Sequence, residues 1–392
     1  CSLPGKLLFV IFQRRVRTLP RRSKLVGAAR VLRMKIGHLV RRTKQPAPVG
    51  NPGYYKRELN SSLLIRDAVG LPKRNFLKPS FEEQDPRIVA ARCFDRCGVF
   101  PINFSFPSRH ASELTAGDRP YFLSDTFPGV PHSFNLWNEY LSEYEKSHFA
   151  LSTKKGGWDT FRHLEIIFSG AIPLMPNLEK SSPFSLAHYP KRLLSSVLQS
   201  LIDDGPAIPD HQTQSFMIEW AKRYLTTKAT AEYLIELSGF ATDRVLFLDK
   251  ALAVQTDYLS AFSFIGLSEV LGNRLVAAFE PSYLFDDFSG ETSRMYGKGF
   301  GYSKTIPAVF RSSESLDQDC SDESLVALAD TASAIVVGNY DANRDLLGRI
   351  LRSGIDEKKV ACIVGSDLVA DSQLLRTARR SDMTFFIREF SP

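Results

Sequence analysis

The chain has 392 residues, 43% hydrophobic and 24% charged, a balance ordinary for a globular protein and long enough for two domains with a sizeable core. No apolar run approaches the ~20 residues that a membrane span requires, and five cysteines, an odd count, argue against a disulfide framework and fit a reducing compartment. The net charge is +7, yet residues 1–50 hold thirteen Lys or Arg and no acid, so residues 51–392 sum to −6.

The basic character therefore belongs to an N-terminal arm, residues 1–53, closed by the Pro- and Gly-rich linker 45–53. Such an arm suits an anionic membrane surface or another polyanion, a transit-like segment, or a solvated tail without a partner. Nucleic-acid binding by the remainder is disfavoured, because phosphate contacts need clustered Lys and Arg. The expected location is cytoplasmic or peripheral to a membrane, or Golgi/secretory in a eukaryote.

Further along, Cys93 and Cys97 are four apart on a helix or turn, with no second ligand pair nearby, so they read as structural thiols rather than a metal site. A strand is expected near 99–105, then a Pro/Ser/Gly-rich loop over 107–133 and a helix over 134–147. The stretch Ser147–Met175 follows, SHFALSTKKGGWDTFRHLEIIFSGAIPLM. It reads as strand 149–152, a glycine turn, helix 159–169 and strand 171–175. The turn carries Lys154, Lys155, Gly156 and Gly157, then Trp158 and Asp159. The helix carries Arg162 and Glu165 one turn apart on the same side. A glycine turn opening a helix presents free N–H groups and the positive end of the helix dipole, which suits a diphosphate. An ionised carboxylate one turn deeper accepts hydrogen bonds from the hydroxyls of a ribose. The plainer alternative is that Asp159 or Thr160 is an ordinary N-cap, that Leu164, Ile167 and Phe168 are a buried stripe, and that Arg162 and Glu165 are a surface pair.

Helices are expected near 190–202, 211–225 and 228–238, the last capped by Thr226 or Thr227 and ended by Gly239. Beyond them come strand 244–248, helix 257–271, loop 281–304, helix 325–332, strand 334–337, helix 345–353 and strand 360–364. Continuous apolar strands alternating with helices indicate an α/β fold with parallel sheets covered on both faces. Gly297-Lys298-Gly299-Phe300-Gly301 lacks the strand–turn–helix context of a dinucleotide fingerprint and reads as a flexible loop. Asp317-Gln318-Asp319 sits in a Ser/Asp-rich loop without a flanking strand, and no metal is expected there. His132, His148, His163 and His188 show no partner spacing and read as structural.

The Ser147–Met175 stretch resembles the donor-binding segment of exostosin-like and related bacterial or viral glycosyltransferases of the two-Rossmann (GT-B) fold. The matching positions are Ser147, Phe149, Leu151, Ser152, Thr153, Lys155, Gly156, Gly157, Trp158, Asp159, Arg162, Glu165, Gly170, Ile172 and Pro173. Tyr189-Pro190-Lys191 and Leu225–Leu234 look like later donor-domain helices, and Phe100–Pro107 like the strand that opens that domain. Residues 244–392 look like the acceptor-side domain, which in the family comes first. Tyr54–Leu59 is echoed by Phe385–Phe390, a segment that in the family lies between the domains, so the order suggests a circular permutation or a piece of a tandem array. The chain begins with Cys1, which fits processing or truncation.

The resemblance implies two Rossmann-like domains, a donor-type domain at 54–240 and an acceptor-side domain at 241–392. It implies a glycosyltransferase moving a sugar from a nucleotide-sugar donor to a glycan or other hydroxyl acceptor. Glu165 would lie on the ribose, with Lys154, Lys155, Gly156, Gly157 and Arg162 near the diphosphate and Trp158 and Asp159 in the same segment. The resemblance also makes Gly297–Gly301 an acceptor-side loop facing the cleft. No cofactor or metal is implied, since cations of the chain would meet the diphosphate. Asp341 and Asp367 are the candidates for the catalytic base. The family's histidine after strand 334–337 is missing, and its acidic pair near Gly365 keeps only Asp367. Those departures favour the alternative of a degenerate relative that binds nucleotide or glycan without turnover.

Overall fold

The computed structural model describes residues 63–76, 83–111, 118–128, 134–365, 367 and 369–390. The basic arm, the Tyr54–Leu59 copy of the echo, His132 and Ser366 lie outside them. In chain order the elements are β1 (Lys73–Arg74), α1 (Pro86–Cys97), β2 (Phe100–Pro101), α2 (Ser108–Ala111), β3 (Tyr121–Leu123), α3 (Trp137–Glu145), β4 (Ser147–Leu151), α4 (Phe161–Phe168) and β5 (Ile172–Leu174). There follow α5 (Lys191–Asp204), β6 (Ile208–Pro209), α6 (His211–Tyr224), α7 (Thr227–Ser238), β7 (Val245–Leu248), α8 (Tyr258–Leu271) and β8 (Leu275–Ala277). The remainder is α9 (Asp322–Asp330), β9 (Ala334–Val337), α10 (Tyr340–Arg352), β10 (Val360–Val364), α11 (Ser372–Arg380) and β11 (Thr384–Ile387).

The fold is α/β, and the three sheets among the described residues are parallel. One has six strands in the order β2-β11-β10-β9-β7-β8, one has three in the order β3-β4-β5, and β1 pairs β6. In the large sheet the strands alternate between two apolar layers, as a period of two demands. Val245, Phe247, Val336, Ile363 and Phe386 face the core that continues into the three-stranded sheet. Leu246, Ile335, Val337, Cys362 and Phe385 face a second core under α9, α10 and α11. Helices on both faces explain why these strands read as unbroken apolar runs. The order reverses at β7, between β8 and β9, which opens a crevice beyond the carboxyl ends of those strands.

One placement corrects the reading from sequence. The strand expected to open the donor-type domain, Phe100–Pro101, pairs with β11 and forms the edge of the large sheet. The preceding α1 goes with it: Cys93, Cys97 and Val99 are buried in the second core. Arg379 of α11 donates to the Arg96 and Cys97 carbonyls at the end of α1, 2.8 and 3.1 Å away. The chain thus leaves the large sheet at 102–111 and returns to it beyond Leu225. These two crossings are tied together, with the Phe106 amide on the Leu225 carbonyl and the Thr227 amide on the Phe106 carbonyl, both at 2.8 Å.

The return helix α7 begins at Thr226, whose hydroxyl accepts from the Ala229 amide, and ends at Gly239 in the left-handed region, φ 65°. It packs on α8 at very close range. A Cβ on Gly266 would stand 2.0 Å from the Thr227 carbonyl oxygen, so only glycine lets the two helices meet. The Thr227 backbone cannot move cheaply, because the crossing fixes it, and its hydroxyl donates to Glu269 of α8 at 2.6 Å. Gly266→Ala is therefore expected to lower the unfolding free energy by about 1–3 kcal/mol, read by urea denaturation; wild-type stability in that variant would contradict the packing.

Candidate functional site

Strand β4 ends at Leu151 and α4 begins at Phe161; the nine residues between them are the turn singled out above. His163, fully buried on α4, anchors it. Its Nδ1 lies 2.7 Å from the Ser152 hydroxyl and its Nε2 2.8 Å from the Trp158 carbonyl. A carbonyl only accepts, so Nε2 carries the proton and Nδ1 accepts from Ser152. Burial pushes its pKa down to about 4, outweighing the Trp158 carbonyl that opposes the shift. The ring is neutral and structural, as its lack of partner spacing suggested.

The turn is also gripped from the other sheet. Arg388 and Glu389 follow β11 directly and are almost wholly buried, 1% and 3% exposed. Glu389 Oε1 accepts from the Asp159 amide at 2.8 Å, and Oε2 accepts from the Ser185 hydroxyl at 3.2 Å. Arg388 donates to the Asp159 carbonyl at 2.8 Å and the Gly365 carbonyl at 3.0 Å, pairs with Asp367, and lies 4.4 Å over the Phe104 ring. Two consecutive side chains thus hold both ends of one residue's backbone, 229 and 230 positions away.

That clasp explains the two glycines. Neither Gly156 nor Gly157 has a positive φ; what they need is room. A Cβ on Gly156 would come within 2.4 Å of Asp367 Oδ2, and one on Gly157 within 2.4 Å of Glu389 Oε1. The clasp also takes one amide ahead of the helix start: a carboxylate of the chain itself accepts from the Asp159 N–H, so that group is not free for an anion. Nor is α4 capped by a side chain. Thr160 is the cap residue without such a bond, and the Asp159 carboxylate turns into the core to accept from the Phe104 amide at 2.6 Å.

The remaining predicted residues divide cleanly. Lys155, Arg162 and Glu165 come together. Glu165 is buried and accepts from the Trp137 indole at 3.3 Å, and Arg162, Trp137, Tyr140 and Lys155 all counter the burial that pushes its carboxyl up to about 7. It is not half of a surface pair. Burial, then the Arg162 cation, pushes the Lys155 ammonium down, while Glu165 and Asp367 work the other way. Arg162 Nη1 is buried with no hydrogen-bond partner among the described residues. Lys154 is exposed and lies 5.7 Å from the half-buried Trp158 ring.

Of the acids proposed as bases, Asp367 stands against Gly156, whereas Asp341 is elsewhere. Asp341 lies on α10, exposed, paired with Arg344 of the next turn at 3.0 Å. A carboxyl that the sequence reading passed over, Asp257, caps α8 in the crevice, accepts from the Asn339 amide group at 3.2 Å, and interacts with both Arg388 and Asp367. Trp137, Tyr140 and Tyr258 beside Glu165 were missed as well, whereas Lys298, whose ammonium binds the Asn135 side chain at 3.2 Å, belongs to the glycine-rich loop that the resemblance put at the cleft. The Gly297–Gly301 loop is thus packed across the cleft: a Cβ on Gly301 would meet the Phe161 and Trp137 rings. The repeated aromatic-Arg-Glu signal did mark Arg388 and Glu389, though as an echo rather than a contact. Among the described residues no group of three or more His, Cys, Asp or Glu is placed to hold a metal, and no helix is long and apolar enough to cross a membrane.

No protein-family model, curated protein or solved structure matches the chain.

Two outcomes are expected of this arrangement. Glu389→Ala strips the Asp159 amide of its acceptor and leaves Arg388 buried without its neighbouring acid; breaking such buried charge networks costs about 3–5 kcal/mol, measurable by denaturant unfolding. Asp159 and Glu165, both held up to about 7 by burial, contribute stability that is full below the ordinary carboxylate range and is lost as pH rises through about 7. Glu165→Gln removes one of these groups, so the variant should gain stability relative to wild type between pH 5 and pH 8; an unchanged difference would contradict a strongly desolvated Glu165.

Proposed function

We propose that the chain is a glycosyltransferase that takes a sugar from a nucleotide-sugar donor to a hydroxyl acceptor. The observation that carries the reading is the convergence of Lys155, Arg162 and Glu165 beyond the carboxyl end of β4, opposite the carboxyl ends of β10 and β11. Open α/β sheets bind ligands at that end. In this reading Arg162, with its unpartnered Nη1, and Lys155, with Lys154 nearer solvent, hold the diphosphate. Its charge grows as the glycosidic bond breaks, so fixed cations favour the transition state over the ground state. Glu165, anchored by the Trp137 indole, accepts from the ribose hydroxyls. Asp367, opposite the turn, takes the acceptor proton, with Asp257 beside it. The clasp keeps the two halves in register, and no metal is needed because cations of the chain supply the charge.

A second reading has a specific observation behind it. Glu389 already takes the Asp159 amide, Asp367 is tied to Arg388, and Asp341 stands away from the turn. Those features favour a relative that binds nucleotide or glycan without turnover.

A thermal-shift panel of UDP, GDP, ADP and CMP tests what the two readings share. A ligand at about 100 times its Kd adds about 2.7 kcal/mol to the native state. One nucleoside diphosphate should raise Tm, and Arg162→Ala and Glu165→Ala should each abolish the shift. No shift with any of the four would overturn both readings. Incubating the matching nucleotide sugars then separates them: release of the diphosphate, lost in Asp367→Asn, supports transfer chemistry, and binding without release supports the second reading.

A further inference from the structure

Glu165 is 6% exposed, and Arg162 Nη1 is out of reach of solvent. A ligand meets this pair only when something over it moves. The loop Tyr296–Tyr302, between β8 and α9, is placed to be that cover, because it touches each of the three aromatic residues around Glu165. Gly301 packs so closely on the Phe161 and Trp137 rings that a Cβ there would stand 2.6 and 3.1 Å from them. Phe300 lies beside Tyr140, with ring centroids 6.4 Å apart. Gly297 faces the Tyr258 hydroxyl, and Tyr258 in turn interacts with Glu165.

The base of this strap is fixed, whereas its tip is lightly held. Tyr302 is fully buried, and its phenol donates to the Tyr296 carbonyl at 2.7 Å and meets the Thr256 hydroxyl at 3.2 Å. The two ends are thereby tied together, as in other compact surface loops that carry their own packing. The tip reaches the start of α3 through one ammonium, Lys298 on the Phe134 carbonyl and the Asn135 side chain, and through the half-buried Phe300.

The backbone at the tip is strained. Lys298 has a left-handed φ of 60°, where the Cβ of an ordinary residue crowds its own carbonyl. Such a conformation persists only while its surroundings impose it, and it concentrates at clamps and switch regions. Here the imposing contact is the grip of the ammonium on Phe134 and Asn135. Letting go of that grip relieves the strain, so the latch and the strain oppose each other across a single side chain.

We propose that Tyr296–Tyr302 is a gate over the Glu165 cluster, latched by Lys298 and turning on its Tyr302 base. The motion stands on the contacts above; what passes the gate rests on the donor reading. In that reading the exposed Lys154 meets the diphosphate from outside, and the ribose reaches Glu165 once the strap lifts.

Carboxyl labelling of the full chain with a water-soluble carbodiimide and glycine ethyl ester, read by mass spectrometry, tests the gate without any nucleotide. Glu165 should label faster than Asp249, which is 1% exposed and enclosed by Ser260 and Asn343 of the large-sheet side, because local opening outpaces unfolding. Lys298→Met keeps the reach of the side chain and removes the ammonium. It should speed Glu165 labelling by about tenfold, the weight of a charge-assisted hydrogen bond, and leave Asp249 unchanged. Phe300→Ala, at the other tip contact, should act in the same direction. The gate is overturned if Glu165 labels as slowly as Asp249, or if neither substitution changes its rate. Nucleotide binding reports on the donor reading separately. Labelling that responds to Lys298→Met in a chain that binds no nucleoside diphosphate keeps the gate and removes that reading; binding with labelling that ignores both substitutions keeps the reading and removes the gate.

Discussion

The rest of the molecule depends on one contact between distant parts of the chain. Arg388 and Glu389 leave the end of β11 and close on the backbone of Asp159, the acid taking its N–H and the guanidinium its carbonyl. Charges this deeply buried are stable only when each is matched and hydrogen-bonded. Here the matching is shared between the two sheets: Asp159 into Phe104, Glu389 onto Ser185, Arg388 onto Gly365 and Asp367. The turn that follows β4 therefore has no shape of its own. Its two glycines are the space that the acids of the other sheet require.

Fixing the turn fixes the charges around it. With Trp158 held by His163 and Asp159 by the clasp, α4 starts where Arg162 and Glu165 project toward Trp137 and Tyr140 of α3. Burial then sets the local electrostatics. It lifts the Glu165 carboxyl to about 7 and lowers the Lys155 ammonium, so the carboxyl is the member of the cluster set to change charge near neutral pH. The same strand serves two ends. Its carboxyl end leads into the cationic cluster, while its amino end places His148 in the wall of a cavity of about 570 Å³.

Much of this was legible in the sequence where the signal is local. The buried strands 245–248, 334–337 and 360–364 and the cap and stop of α7 follow from apolar runs and from Thr226 and Gly239. Strand Tyr121–Leu123 was hidden because three residues inside a Pro/Ser/Gly-rich stretch carry no period. Helix α10 starts at Tyr340, earlier than its apolar pattern, because Asn339 accepts from the Ala342 amide and caps it. Phe100–Pro101 was read as a strand, but which sheet receives it is set by β11, nearly 300 residues later. The site divides the same way. Lys155, Arg162 and Glu165 are one helical turn and one loop apart, and spacing alone groups them. That Asp159 faces inward, that Asp341 is displaced, and that Glu389 occupies the helix start are consequences of tertiary pairing that no local pattern encodes.

Hydrogen exchange at the Asp159 amide tests the central claim most directly. It is donated to Glu389 in a region with no sheet or helix partner for it, so its protection reports the clasp and nothing else. The account predicts that this amide exchanges as slowly as those of β4 in the wild-type chain and that in Glu389→Ala it accelerates far more than the β4 amides, which speed up only by that variant's overall loss of stability. Rapid exchange in the wild type, or protection that survives the loss of Glu389, would contradict it.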